Sequence, residues 1–431
     1  MQKLILNELL TYDSYKERGM KQQKFVIKLL TAFAVFSMLS VISANAAIST
    51  SNTANKTIPV SARGVAAPPV QWEQTFGGSV GNSTGRSVQQ TTDGGYIIAG
   101  STDSFSPGKS NVYLIKTDSF AKKQWEQTFG GSVGNSTGRS VQQTTDGGYI
   151  IAGMTDSFSA GKVKAYLIKT DSSGMKQWEQ TYGGNAFNNA ASVQQTTDSG
   201  YIFVGSTVAD RTPLIYLVKT DSSGKTQWEQ TFGSGIQNYG NSVRQSSDGG
   251  YIIAGAKVQS TDQVYAYLVK TDSSGKTQWE QTYGGKGFNF GTSVQQTTDS
   301  GYVIGGVTNS SSANQYFYLV KTDSSGMKQW EQTYGGKGLN LAHALQLTND
   351  GGCVMVGEFL TGGTSVLNAT SSQGYLVKSD SSGKMQWQET FGGSANSSGS
   401  DIQQTKDGGY IVVGSTDSGH ASRTDAYLVK F

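Results

Sequence analysis

The sequence predicts an all-β chain, seven copies of a four-stranded unit closed into a ring. Three observations carry this. A signature that begins W-E-Q-T-[FY]-G-G, varied to W-E-Q-T-F-G-S at Trp228 and W-Q-E-T-F-G-G at Trp387, returns seven times and contains every tryptophan of the 431-residue chain: Trp72, Trp125, Trp178, Trp228, Trp279, Trp330 and Trp387. Their spacings are 53, 53, 50, 51, 51 and 57 residues, a period that marks stacked units none of which can bury a core alone. Each copy also divides into four short β-prone runs. Finally, the first and last copies are incomplete in complementary ways.

The elements follow in order. Lys21, Lys24 and Lys28 precede an apolar run, Leu29 to Ile42, and then Ala44-Asn45-Ala46. A basic stretch, a short apolar stretch and a small-x-small site read as a secretory signal peptide over residues 1–46. Met20 offers a second start that fits the signal pattern better than residues 1–19. Residues 47–70 are rich in Ser, Thr, Ala and Pro and read as a flexible linker. The repeats occupy 71–431.

The unit that starts at Ser192 illustrates the strands, named A to D. Val193–Thr197 is strand A, Tyr201–Gly205 strand B, Ile215–Lys219 strand C and Gln227–Phe232 strand D. Asp198-Ser199-Gly200 and Asp221-Ser222-Ser223-Gly224 lie in the A–B and C–D turns, because Gly accepts positive φ and Asp bonds the turn backbone. Four antiparallel strands per copy, seven copies, describe a seven-bladed β-propeller. Residues 71–78 supply a lone D strand, and Ala426–Phe431 is a C strand with no D strand after it. The N-terminal strand is therefore expected to complete the last blade and close the ring, which removes the exposed edge.

Asp221-Ser-Ser-Gly-Lys-Thr-Gln-Trp228 resembles the tryptophan-docking motif of quinoprotein-type (PQQ-like) propellers. In that motif an aspartate, a turn glycine and a tryptophan span the C–D hairpin, and the indole wedges against the next blade. The D-G-G-Y-I-I-A-G and Y-L-V-K-T-D pieces are similar to repeat propellers of archaeal and bacterial cell-surface proteins. The Asp-to-Gly spacing is one residue shorter here, and Ala121 stands for the Gly in the first copy. The resemblance implies the fold and inter-blade packing by the seven tryptophans. It implies no quinone: vicinal cysteines are absent, so no cofactor is expected.

Composition narrows the function. Outside residues 1–46 the chain has 28 basic and 28 acidic residues, with no basic stripe, which argues against nucleic-acid binding. The apolar run is too short to span a membrane, so the mature chain is expected to have no membrane span. The single cysteine, Cys353, falls in strand B and reads as a buried thiol. The mature protein is expected to be a monomer, secreted or at the cell surface.

A catalytic site needs a unique constellation, so residues present in nearly every copy, such as Asp93 and Asp118, read as turn scaffold. No catalytic residue and no metal ligand is assigned. Function is expected on the face carrying the variable D–A and B–C loops. In units 3 to 6 those loops hold Asn188, Asn238, Asn289 and Asn340 beside Phe187, Tyr239, Phe288 and Phe290. Amides next to aromatic faces suit a surface glycan or a protein; the competing reading is a local Asx turn with an apolar plug. His343 and His420 fall near Asp401 and Glu358 on the same face, a conceivable acid–base or metal group. N-x-[ST] sequons occur at Asn55, Asn82, Asn135, Asn309, Asn368 and Asn396. The expected function is an exported binding module for glycan or protein. The alternatives are a structural envelope component and an extracellular polysaccharide-acting enzyme.

Overall fold

The computed structural model describes residues 66–431 except 107, 159–161, 210–211, 310–313, 337, 362–368, 370, 394 and 418–422. The expected signal peptide, most of the linker, and Asn55, Asn368 and His420 therefore lie outside the described residues. Among these residues the secondary structure is all β, with twenty-eight strands, β1 to β28 in chain order. They fall into four-stranded antiparallel sheets, as in a β-propeller. The first repeat folds as β2 (Ser83–Gln90), β3 (Tyr96–Thr102), β4 (Asn111–Thr117) and β5 (Lys123–Phe129). In unit 4, β16 (Gln263–Thr271) also makes a short parallel pairing with β18 (Gly287–Gln296) of the next unit.

The unit read in detail from sequence forms β10 (Ser192–Gln195), β11 (Tyr201–Ala209), β12 (Thr212–Thr220) and β13 (Thr226–Phe232). Strands B and C run further into their connecting loop than expected, paired residue for residue out to Ala209 and Thr212. At the chain ends, β1 (Trp72–Phe76) pairs antiparallel with β28 (Asp425–Lys430), from Trp72 opposite Lys430 to Phe76 opposite Ala426. β28 continues into β27 (Tyr410–Thr416) and β26 (Ser397–Gln404).

The core lies between sheets. Ile202, Val204, Ile215 and Leu217 of unit 3 pack with Val243, Ile253, Tyr267 and Val269 of unit 4, all buried, with Trp228 against them. Full burial of each such aliphatic side chain is worth about 1.5–3 kcal/mol. The indoles join one unit to the next. Trp228 meets Tyr251 with the rings tilted by 60° and their centroids 5.7 Å apart. It also lies so close to Gly275 that a Cβ there would come within 2.7 Å of the indole. The equivalent glycine is therefore required twice, for its φ of +82° and for this contact. The first copy has Ala121 instead, held at φ +62° in the cluster that contains Trp72. Cys353 occupies the place of the tyrosine and is buried; burial pushes its thiol up to about 12.

The repeated polar residues are consumed by the scaffold. Asp198 accepts bonds from Thr196 Oγ1 and Gly200 N–H in the A–B turn. It also pairs at 2.7 Å with Lys219, which is buried beneath the turn. The same Lys–Asp pair recurs in the other units, for example Lys116–Asp93 at 2.9 Å and Lys169–Asp146 at 2.8 Å. Asp221 Oδ1 accepts from Ser223 N–H and Lys225 N–H, each at 2.9 Å, which shapes the C–D turn. Each C-strand tyrosine donates to the D strand, as Tyr267 does to Glu280 and Tyr375 to Gln388.

Candidate functional site

The four loop asparagines expected to face a ligand point inward. Asn188, Asn238, Asn289 and Asn340 are all buried. Asn188 Nδ2 donates to Ala186 O at 2.7 Å, and its Oδ1 accepts from Thr207 Oγ1 at 2.7 Å. Asn289 Nδ2 donates to Val264 O and Gly285 O. Asn340 Nδ2 donates to Gln315 O and Gly336 O, and Asn238 Nδ2 to Ser234 O. These amides tie each D–A loop to itself and to neighbouring strands, of its own unit for Asn188 and of the preceding unit for Asn289 and Asn340. Phe187, Tyr239, Phe288 and Phe290 are half-buried beside them.

Units 7, 1 and 2 fill the same slot with a serine. Ser83, Ser136 and Ser397 share hydrogen bonds with Thr102, Thr155 and Thr416 at 2.8–2.9 Å. The sequon asparagine one residue earlier then braces the neighbouring strand. Asn82, Asn135 and Asn396 accept bonds from Thr424, Ser110 and Ser372 N–H, each at 3.0 Å. Asn396 also donates through Nδ2 to Asp417 at 2.7 Å. Asn309 is used as well, accepting from Phe288 N–H at 2.6 Å. Most of the exposed apolar side chains of the variable face lie in units 1 and 2, where Val80, Phe105, Val133 and Phe158 are 59, 47, 62 and 48% exposed; Ile236 of unit 4 is another, at 42%.

The innermost strand of each unit lines a cavity of about 310 Å³. These strands are β2, β6 (Ser136–Gln143), β10, β14 (Gln237–Gln245), β18, β22 (Leu339–Leu347) and β26. Most carry a bulge just before the conserved Ser-Val pair: the register shifts between Gly85 and Ser87, for example, and between Gly138 and Ser140. A bulge re-aims the extra side chain. The residues at this place are Arg86, Arg139, Ala191, Asn241, Thr292, His343 and Ser400, and all but Ala191 differ from a simple packing residue. No two neighbours beyond the first pair are alike. Arg86 and Arg139 give no distinct signal in the sequence, because they lie inside a thirty-residue identity between 71–100 and 124–153. Aligning the seven copies column by column exposes this column as the variable one in an otherwise repeated strand.

Below the bulge, side chains bond from unit to unit around the cavity. Val141 N–H donates to Ser87 Oγ, Val193 N–H to Ser140 Oγ and Val243 N–H to Ser192 Oγ, at 3.2–3.4 Å. Gln143 N–H donates to Gln89 Oε1 and Gln195 N–H to Gln142 Oε1, each at 2.6 Å. Asp401 belongs to the serine series. Its Oδ2 accepts from Ser87 Oγ and Val88 N–H, both at 3.0 Å. Its Oδ1 accepts from Ile402 N–H at 2.9 Å, a group that Ala344 of the preceding unit has no hydroxyl to satisfy. Burial pushes the Asp401 carboxyl up, against these bonds and the nearby Arg244. Arg244 replaces a glutamine of the lower series and donates instead to Val243 O at 2.8 Å.

His343 and Glu358 do meet, with Nε2 and Oε1 3.6 Å apart, through the pairing of β22 with β23 (Cys353–Thr361). Asp401 makes its bonds to unit 1 instead. Arg86 and Arg139 are half-buried and line this cavity. Burial pulls Arg86 down to about 9, helped by Arg139 and opposed by Glu358. Burial alone pulls Arg139 down to about 10.

No family model matches this chain, and no curated protein matches it. Among solved structures it is similar to a virginiamycin B lyase from Staphylococcus aureus, determined as a catalytically inactive variant with quinupristin. The TM-score is 0.50 at 10% identity, over 84% of this chain and 99% of that one. It is also similar to Sqt1 from Chaetomium thermophilum (TM-score 0.47, 11% identity, 81% and 95% covered). A third is the Pan2 WD40 domain from Neurospora crassa (TM-score 0.42, 10% identity, 68% and 88% covered). The likeness concerns the propeller fold alone.

Proposed function

We propose that this chain is an exported interaction module, a closed seven-bladed propeller that presents its D–A and B–C loops to a partner at the cell surface. The N-terminal signal pattern supports export, and the docking motif around Trp228 supports kinship with PQQ-like surface propellers. The β1–β28 ladder and the Asp401 bonds from the last unit to Ser87 and Val88 support closure. The carrying observation is the allocation of side chains: the repeated Lys, Asp, Tyr, Glu and Trp are engaged inside the scaffold. The exposed apolar side chains Val80, Phe105, Val133 and Phe158 stand on the variable face. Apolar points on a rigid polar face suit a protein or a glycan.

The test is binding of the labelled whole chain to envelope proteins and to an array of surface polysaccharides, with Phe105→Glu and Phe158→Glu as variants. The proposal expects binding that both substitutions weaken. Binding indifferent to both, with the variants folded, moves the partner site elsewhere.

A further inference from the structure

We propose that the central cavity binds a small polar molecule through an oxyanion group held between the guanidinium groups of Arg86 and Arg139. The inference does not depend on what docks on the loop face.

The two arginines sit at equivalent bulges of adjacent inner strands, which the Val141 N–H to Ser87 Oγ bond holds side by side. Among the described residues neither guanidinium makes a salt bridge with a carboxylate. Two like charges thus line one cavity, and Arg139 opposes the charge on Arg86. Glu358 attracts Arg86 from a distance, but its Oε1 lies beside His343. A planar or tetrahedral oxyanion takes two donors from each guanidinium fork, and one such group can serve both arginines. It would also relieve their repulsion, which a neutral ligand could not.

The remaining wall describes the rest of the ligand. Asn241 and Thr292 already donate to Gly291 O and Gly305 O, and His343 Nε2 faces Glu358, so what these residues add to the wall is mainly acceptor oxygens and a second imidazole nitrogen; Ala191 leaves space where its counterparts are larger. Few apolar groups reach the cavity. Its volume of about 310 Å³ lies at the lower end of small-molecule sites, roughly 300–1,000 Å³. A hydroxylated acid of monosaccharide size fits this chemistry better than an apolar acid. The source of the oxyanion, carboxylate or phosphate, is separated by experiment.

The experiment is calorimetric titration of the whole chain with galacturonate, inorganic phosphate and neutral galactose. It is repeated on Arg86→Gln, Arg139→Gln, the double variant, and Lys122→Gln as a surface control. Saturable binding of galacturonate, of phosphate or of both is expected, with none of galactose. Loss of one arginine should weaken binding about tenfold or more, Arg86→Lys should weaken it less than Arg86→Gln, and the control should leave it unchanged. Galacturonate alone would identify a carboxylate ligand, and phosphate alone a phosphorylated one. The ligand-free double variant should melt no lower than the parent, because it loses a repulsion and no bond. Three results would overturn the proposal: neither oxyanion binds the parent saturably, binding survives in the double variant, or the ligand-free double variant melts well below the parent.

Discussion

The outer hairpins and the inner strands come from the same repeat, yet they treat charge differently. In the outer hairpins each buried lysine sits on a turn aspartate, as Lys169 on Asp146 at 2.8 Å, and each C-strand tyrosine on an acid or amide of strand D. In the inner strands, Arg86 and Arg139 line the cavity with no carboxylate of their own among the described residues, and the column they occupy changes from unit to unit after the second. Sevenfold repetition and complete pairing go together because both serve inter-unit packing. Other residues that break the repeat still find partners, as Asp401 does with Ser87 and His343 with Glu358; the two arginines are where a ligand has something to add.

The comparison can be broken first at the chain ends. Deleting residues 71–78 removes the whole β1 ladder, the Trp72 and Phe76 packing, and the cover of β28. The account expects the largest fall in melting temperature of any change considered, with aggregation through the bared edge. An unchanged melt would mean that the ends contribute nothing to the outer scaffold.

Acid probes the paired lysines next. Burial opposes ionisation of Asp198, but the bonds from Lys219, Thr196 and Gly200 prevail and hold its carboxyl at about 2. Asp93, Asp146 and Asp350 behave alike. A depressed folded value stabilises the fold above the unfolded carboxyl value of about 3.9. That contribution is lost as pH falls toward the folded value. The melting temperature should therefore fall steeply between about pH 4 and about pH 2, and Asp198→Asn should shrink the drop. A drop complete above pH 5 would point to other groups.

The smallest effect is at Ala121. A left-handed L-residue costs about 1–2 kcal/mol, partly offset by the greater chain entropy of glycine. Ala121→Gly should raise stability by about 0.5–1 kcal/mol, seen in denaturant melts. Gly174→Ala should lower it, since a Cβ there would lie 2.6 Å from the Trp125 ring.

Much of the outer scaffold was legible because its determinants are local. Asp221 and Gly224 announce a tight turn in sequence, and Trp228 follows at the spacing that the packing requires. The asparagine slot was visible as a pattern but not in its direction. Asn188 and Ser83 occupy equivalent places, and only the three-dimensional pairing shows that both are turned inward onto a strand B threonine. In sequence His343 and Glu358 read as loop residues of one face; in the fold they meet because two strands pair. The arginines were hidden by identity. Arg86 and Arg139 look like scaffold when units 1 and 2 are compared alone, and only the bulge and the other five units set them apart.

The most direct measurement compares two neutralised cations in one unit, Lys169→Gln and Arg139→Gln, by thermal melting without ligand. The account predicts that Lys169→Gln lowers stability by about 1–2 kcal/mol, a value moderated by the exposure of Asp146. Arg139→Gln should leave the melt unchanged or raised. Equal losses in both variants would contradict the division between a paired scaffold and an unpaired inner site.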